Sequence, residues 1–322
     1  MPRAPRVSVV IPLYNGEAHI AETIDGVLAQ TFRDYDLIVI DDGSTDGSPA
    51  VVQRYGDRVR YARQTNAGVS AATNTALSLA RGDLIAFLDH DDVWLPSKLE
   101  RQVAFLDAHP ECGFVNCDMQ YISKSGERVD RYLRGINPAD PYVRLFQKDH
   151  VIMCSTVMIR RSVYERAGGF DETFLAVGLQ EMEWMSRVVE CTSPGSVPET
   201  LVLYREHEPT VPGDSARCNQ GLYLQRLWDR YQADPRKRRF LAGERVAFLS
   251  DLGQNEVRSG LVAEGRRHLR DALALAFRER VNVKMVVRSL LRLGRSHQGI
   301  PILGTACGHE PKQAVQGRGR KR

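Results

Sequence analysis

The sequence predicts an α/β fold on a mixed, mainly parallel sheet flanked by helices, continued by a helical C-terminal region. Three observations carry this. Over residues 7–88, short β-branched apolar runs alternate with stretches of helical period, the pattern of βαβ units on a parallel sheet. Each run ends in a polar, turn-rich loop, where open α/β sheets bind ligands. From about Ser215 the chain becomes helical and arginine-rich. A chain of 322 residues, 43% hydrophobic and 26% charged, can build a sizeable core in one large domain with a smaller companion.

The elements follow in order. Val7-Ser8-Val9-Val10-Ile11 is a buried strand halted at Pro12, and residues 17–28 form a helix with Ile20, Ile24, Val27 and Leu28 on one face. Leu37-Ile38-Val39-Ile40 is the second strand; a loop over 41–48 and a helix to Tyr55 follow. Residues 59–62 are the third strand, 68–80 an Ala-rich helix and 84–88 the fourth strand. Further strands are expected at 113–117, 151–160 and 197–204, with helices near 161–167 and 180–190. They read as the second half of the same domain, with mixed strand directions. The domain then spans 1–214 and a basic helical region 215–310, where 240–252 and 257–276 pair. Residues 311–322, ending Gly-Arg-Gly-Arg-Lys-Arg, read as a disordered tail.

Charge is unevenly spread. Residues 1–214 hold 21 Lys/Arg against 31 Asp/Glu, net −10; residues 215–322 hold 23 against 9, net +14. The basic end suits an anionic partner, and the acidic front argues against nucleic-acid binding across the whole chain. Residues 281–295 read as a basic amphipathic helix, suited either to an anionic bilayer or to packing on the rest of the protein. No run of 18 apolar residues occurs, and the N-terminus lacks the pattern of a signal peptide, so neither a transmembrane helix nor secretion is expected. The six cysteines form no Cys-x-x-Cys pair or zinc spacing and read as buried, reduced thiols of a cytoplasmic protein.

Straight after the fourth strand stands Phe-Leu-Asp-His-Asp-Asp, residues 87–92. Asp89 and Asp91 flank His90 and can turn toward one point, which is costly unless a cation neutralises them. Hard carboxylate oxygens suit Mg²⁺ or Mn²⁺, with the ion's remaining ligands drawn from a diphosphate. Taken alone, the motif also fits a solvated acidic loop capping the helix that Pro96 opens.

The wider order decides between them. Pro12-Leu13-Tyr14-Asn15, Asp41-Asp42-Gly43-Ser44-Thr45-Asp46, Asn66-Ala67-Gly68 through Asn74, and Asp89-His90-Asp91-Asp92 occur in this sequence at successive strand ends. Over about residues 6–210 the chain resembles the family 2 inverting glycosyltransferases of the GT-A fold. The resemblance implies a donor-nucleotide site at Pro12, Tyr14 and Glu17 on the first strand end, with Asp41 accepting from the base. It places Asn66 and Gly68 on a loop closing over the nucleoside, with Asn74 further along the same motif. It makes Asp89 and Asp91 the metal motif, Asp91 the direct ligand, and matches Tyr204-Arg205-Glu206-His207 to residues that reach the diphosphate (Arg205) or the metal (His207). Thr73 departs from the Arg common there.

An inverting transfer needs one general base, usually in a Glu-Asp pair opening a helix. Gly178-Leu179-Gln180-Glu181-Met182-Glu183-Trp184 matches that stretch. Gln180 takes the place of the Glu, Glu181 that of the Asp base one methylene longer, and Glu183 that of a later Asp. Met153-Cys154-Ser155-Thr156 matches a loop on the acceptor side. The resemblance implies a nucleoside-diphosphate sugar as donor and a glycan or lipid-linked acceptor, in envelope or exopolysaccharide assembly at the inner face of the cell membrane. Two rivals stay open. A nucleotidyltransferase would need a basic Gly-rich loop at the first strand, which residues 12–17 lack. A non-catalytic scaffold binding a nucleotide sugar would tolerate loss of Asp91 and Glu181.

Overall fold

The computed structural model describes residues 3–135, 153–174, 179–206 and 213–284, with Val287. It divides into two compact units, Met1–Arg226 and Leu227–Arg322.

In the first unit, β1 (Val7–Leu13), β2 (Tyr35–Asp41), β3 (Arg60–Arg63) and β4 (Leu84–Phe87) form the parallel half of the sheet. The sheet continues through β8 (Met158–Arg160), β6 (Cys112–Ile122), β9 (Ser193–Arg205) and β5 (Val93–Trp94), in the order β3-β2-β1-β4-β8-β6-β9-β5. β7 (Arg128–Leu133) makes a hairpin with β6. β4–β8 and β6–β8 are antiparallel, whereas β6–β9 is parallel, so the sheet is mixed as expected.

The apolar runs of β1, β2 and β4 are continuous because both faces are covered. Successive side chains point to opposite faces. Val7, Val9, Ile11, Leu37 and Val39 join one core with α1 (Ile20–Leu28) and α4 (Lys98–Ala108), the helix expected after Pro96. Val10, Ile38, Ile40, Ile85 and Phe87 join the other, with α3 (Val69–Leu79) and α6 (Leu179–Cys191). The short helices α2 (Ser48–Gln53) and α5 (Arg161–Ala167) complete the layers. The chain builds outward from β1 through β2 to β3, then crosses to β4 on the other side of β1. That reversal opens a crevice at the carboxyl ends of β1 and β4.

Among the described residues the strand expected over 151–160 is shorter. There residues 154–156 form a single 3₁₀ turn, and Met158–Arg160 is strand. The turn's carbonyls are taken by side chains: Trp94 Nε1 donates to Ser155 O at 2.9 Å and Gln102 Nε2 to Thr156 O at 2.8 Å. Side-chain donors here replace the ladder.

The expected boundary after residue 214 moves into α7 (Gly213–Tyr231), where Arg226 Nε donates to Asp171 at 3.0 Å within the first unit. The second unit contains an antiparallel pair, α8 (Pro235–Arg258) and α9 (Val262–Glu279), close to the expected pairing. Asp234 caps α8 by accepting from the Arg236 and Lys237 amides. The seam buries Ala242, Val246, Ala272 and Ala276. Among the described residues, no helix is long and apolar enough to cross a membrane. Most of the expected 281–295 helix, and the tail, lie outside the described residues.

Candidate active site

The first two strand ends are sewn together. The amide of Asn15, at φ 49°, donates to Ser44 Oγ at 3.0 Å, and Asn15 Oδ1 accepts from the Thr45 amide at 2.8 Å. Gly16 N donates to Ser48 Oγ and Gly47 N to Glu17 Oε2, both at 2.9 Å. Glu17 is therefore a stitch between two turns. Pro12 is buried, and Tyr14 stands out at 46% exposure. The Asp41 carboxylate is closed to solvent at 0% exposure. Its Oδ1 accepts from Ser44 N at 2.7 Å and its Oδ2 from Tyr61 Oη at 2.6 Å, with Arg63 Nε at 3.6 Å. It offers a base no open face at the surface.

Asp42, a residue the sequence reading left without a role, organises the next loop. It accepts from Gln64 Nε2 at 2.8 Å and from the Ala67 and Gly68 amides at 2.9 and 2.8 Å. The loop carries exposed Asn66 and enters α3 through Gly68, whose φ of 93° suits only glycine.

The loop after β4 is clamped on every side. Thr23 Oγ1 donates to the carbonyls of His90 and Asp92 at 2.9 and 2.8 Å, and Asp89 N donates to Ser155 Oγ at 3.0 Å. A side chain at Gly16 would overlap the His90 ring. Arg205 holds the far side. Its amide donates to Asp92 Oδ1 and its Nε to Asp91 O, both at 2.9 Å. Its Nη1 donates to the carbonyls of Ser123 and Lys124, and its Nη2 to Glu22 Oε2 at 2.6 Å.

At 1% exposure Arg205 is a strut beneath the acidic loop, spent on backbone and Glu22. Asn74 is likewise engaged within the fold. Its Nδ2 donates to Phe170 O at 3.0 Å and Glu172 Oε1 at 2.7 Å, and its Oδ1 accepts from Phe170 N at 2.8 Å. It ties α3 to the loop before α6. His207 lies outside the described residues.

The expected base does meet the acidic loop. Trp184 stacks on Phe170, centroids 4.5 Å apart, and meets Phe87 edge-on at 5.0 Å. Gln180 and Glu181, a helical turn earlier, thereby face the crevice. Arg187 pairs with Glu183 at 2.8 Å and donates to Ala167 O at 2.6 Å, so Glu183 fixes α6 to α5. Pro12, Ser70, Thr73, Asp89, Cys154, Gln180 and Glu181 line one pocket. There Cys154 N donates to Glu181 Oε2 at 3.1 Å.

The electrostatics are those of crowded carboxylates. Burial, then the charges of Glu181, Asp92 and Asp91, hold Asp89 well above the usual carboxylate range. Burial and Asp91 do the same to Asp92. Burial pushes Glu181 up to about 7, against hydrogen bonds from Cys154 that lower it. Asp92 Oδ2 is buried with no partner. A divalent cation fits this donor set, since it would relieve the mutual repulsion and satisfy oxygen ligands. Among the described residues, no three His, Cys, Asp or Glu side chains are grouped to hold a metal unaided. A site that borrows diphosphate oxygens needs only one or two carboxylates.

The family model for glycosyl transferase family 2 matches residues 8–168, half of the chain. The chain belongs to glycosyl transferase family 2. A proposed teichuronic acid biosynthesis glycosyltransferase of Bacillus subtilis (strain 168), TuaG, is 31% identical over 232 residues, 71% of this chain and 88% of that protein. A proposed glycosyltransferase of the same organism, EpsE, is 32% identical over 212 residues, 64% of this chain and 75% of that one. Among solved structures, the fold resembles S. aureus TarS 1-349 in complex with UDP, at a TM-score of 0.60, 16% identity and coverage of 91% and 93%. It also resembles the mannosyltransferase PcManGT of Pyrobaculum calidifontis in complex with GDP-Man and Mn²⁺, at 0.54, 21%, 91% and 88%. Both likenesses establish the GT-A architecture. This glycosyltransferase thus has its expected fold, and its acidic loop and candidate base share one pocket.

Proposed function

We propose that this glycosyltransferase moves a sugar from a nucleoside-diphosphate donor to a hydroxyl of a glycan or lipid-linked acceptor, with inversion. The observation that carries the reading is the pairing of Glu181, raised to about 7, with Asp89 in one pocket. Glu181 is the general base. In its ionised form it takes the acceptor's hydroxyl proton as that oxygen attacks the anomeric carbon, and an acid titrating near working pH is suited to this. The Cys154 amide fixes the carboxylate's direction.

Asp89 and Asp91 would hold Mg²⁺ or Mn²⁺, which when bound neutralises charge on the leaving diphosphate. Tyr14, Asn66 and Gly68 border the nucleoside. Arg205 and Asp42 act on the donor site only by holding the loops that form it. The name of one relative, a proposed teichuronic acid biosynthesis glycosyltransferase, supports a setting in cell-envelope polysaccharide assembly. The basic C-terminal region, net +14 over 215–322, supports peripheral contact with an anionic membrane that carries the acceptor.

Glu181→Gln tests the reading. It removes the base while keeping size and the amide contact. Turnover is expected to fall by roughly 10²–10⁴, the usual worth of a general base, with donor affinity kept. Unchanged turnover would remove Glu181 from the chemistry.

A further inference from the structure

Two buried polar atoms in the pocket have no role in the chemistry above. Ser70 Oγ and Gln180 Oε1 are both enclosed and lack any hydrogen-bond partner. Each residue is 2% exposed, and both line the pocket shared by Asp89 and Glu181. They come from different elements, Ser70 from the first turn of α3 and Gln180 from the first turn of α6. Buried polar groups are rarely left unmatched, because their lost hydration goes uncompensated. Two residues that line one recess and each carry such an atom point to a ligand group that completes the bonding.

The recess selects the chemistry of that group. Its free space is that of a single water-sized group. It therefore takes one substituent, with the rest of the ligand outside the recess. Thr73 Oγ1 already donates to Val69 O at 2.8 Å. The Asp89 and Glu181 carboxylates also line the recess, which leaves Ser70 Oγ and Gln180 Oε1 as its buried neutral oxygens without a partner. An amide oxygen accepts, and a hydroxyl can donate or accept, so together they match a group that both gives and takes one hydrogen bond. A sugar hydroxyl is such a group. Phe87 and Phe170 supply the recess with an apolar wall. A neutral amide adds no charge to a pocket already crowded with Asp89 and Glu181.

We propose that Gln180 and Ser70 read one hydroxyl of the sugar being transferred, and so help set donor specificity. The proposal rests on the glycosyltransferase reading above. A site built to bond a hydroxyl discriminates against a donor that lacks it, because its own buried groups are then unpaired. The competing occupant is one ordered water, unconnected to substrate.

The test is calorimetric titration with Mn²⁺ present, on wild type, Gln180→Met and Ser70→Ala. The probes are UDP, GDP and dTDP, and the sugar nucleotides UDP-glucose, UDP-N-acetylglucosamine and GDP-mannose. The quantity read is the ratio of sugar-nucleotide affinity to that of the matching free diphosphate. Each variant is expected to lower this ratio on the order of tenfold for the preferred donor, the worth of about one hydrogen bond, with diphosphate affinity unchanged. Retained diphosphate binding also reports an intact fold, which a merely structural role would not separate from sugar binding. An unchanged ratio in both variants assigns the recess to water and overturns the proposal, while leaving the glycosyltransferase reading standing. Wild type that binds none of the diphosphates overturns both.

Discussion

Glu181 has a carboxyl whose protonation turns on where it sits. Burial lifts it to about 7, and the Cys154 amide works the other way. The base form is the ionised one. It is depleted below pH 7 and full above it, so kcat/KM should climb with pH through about 7 and level off on the alkaline side. A pH–rate profile from about 4 to 9, taken on wild type, checks this. A limb that rises near pH 4.5 instead would mean that bound substrate or metal restores an ordinary carboxylate. At this scale local register singles out Asp89 and Glu181, which line one pocket. It does not give the partners of Arg205 and Asn74, which lie 114 and 96 residues away along the chain. A motif tells which residue stands at a strand end, not which carbonyl it will find. Asp42 was overlooked beside Asp41 for the same reason, since its worth lies in the amides of Ala67 and Gly68.

Among elements, the turn at Cys154–Thr156 is the hinge of the site. It carries the Ser155 hydroxyl under Asp89, the Cys154 amide on Glu181, and carbonyls held by Trp94 and Gln102. The apolar residues on either side of it read as strand, and the side-chain donors packed behind it make it a turn. One of its supports is Lys98, fully buried, with Nζ 3.8 Å from the Trp94 ring centroid and donating to Gln102 Oε1 at 2.8 Å. Burial pushes this ammonium down to about 8 from 10.5. The unfolded chain then binds more protons between those two values, so this group's contribution to stability rises with pH from about 8 to 10.5. Below 8 it costs a constant amount. The full span corresponds to about 3 kcal/mol at 1.36 kcal/mol per unit, as an upper figure. Urea unfolding of wild type and Lys98→Met at pH 7.5 and pH 10 isolates the effect. Wild type is expected to gain on the variant at the higher pH. A difference that stays flat would show Lys98 to be solvated.

Across the molecule, the parallel half of the sheet was the most legible part. Its strands are covered on both faces, so burial writes itself into unbroken apolar runs. The mixed half was less so: β5 has two residues, and β7 lies along an edge with mostly polar side chains. The helical pair was found, but α8 runs on to Arg258 through Gly253, where close approach to Gly265 needs glycine and not a helix end. The same scale holds the charge asymmetry. With peripheral docking as proposed, the full chain should cosediment with vesicles containing anionic phosphatidylglycerol and not with neutral phosphatidylcholine. It should come off at about 0.5 M salt, where screening shortens electrostatic reach to a few Å. Binding to both lipids alike, unaffected by salt, would contradict an electrostatic contact.

As proposed, the acidic loop after β4 serves a metal-dependent nucleoside-diphosphate site. Titration of UDP, GDP and dTDP with and without Mn²⁺, on wild type and Asp91→Ala, tests this. One diphosphate is expected to bind wild type tightly only with Mn²⁺, and Asp91→Ala to abolish the metal's effect. Equal affinity with and without the metal, or full Mn²⁺ dependence surviving in Asp91→Ala, would contradict it.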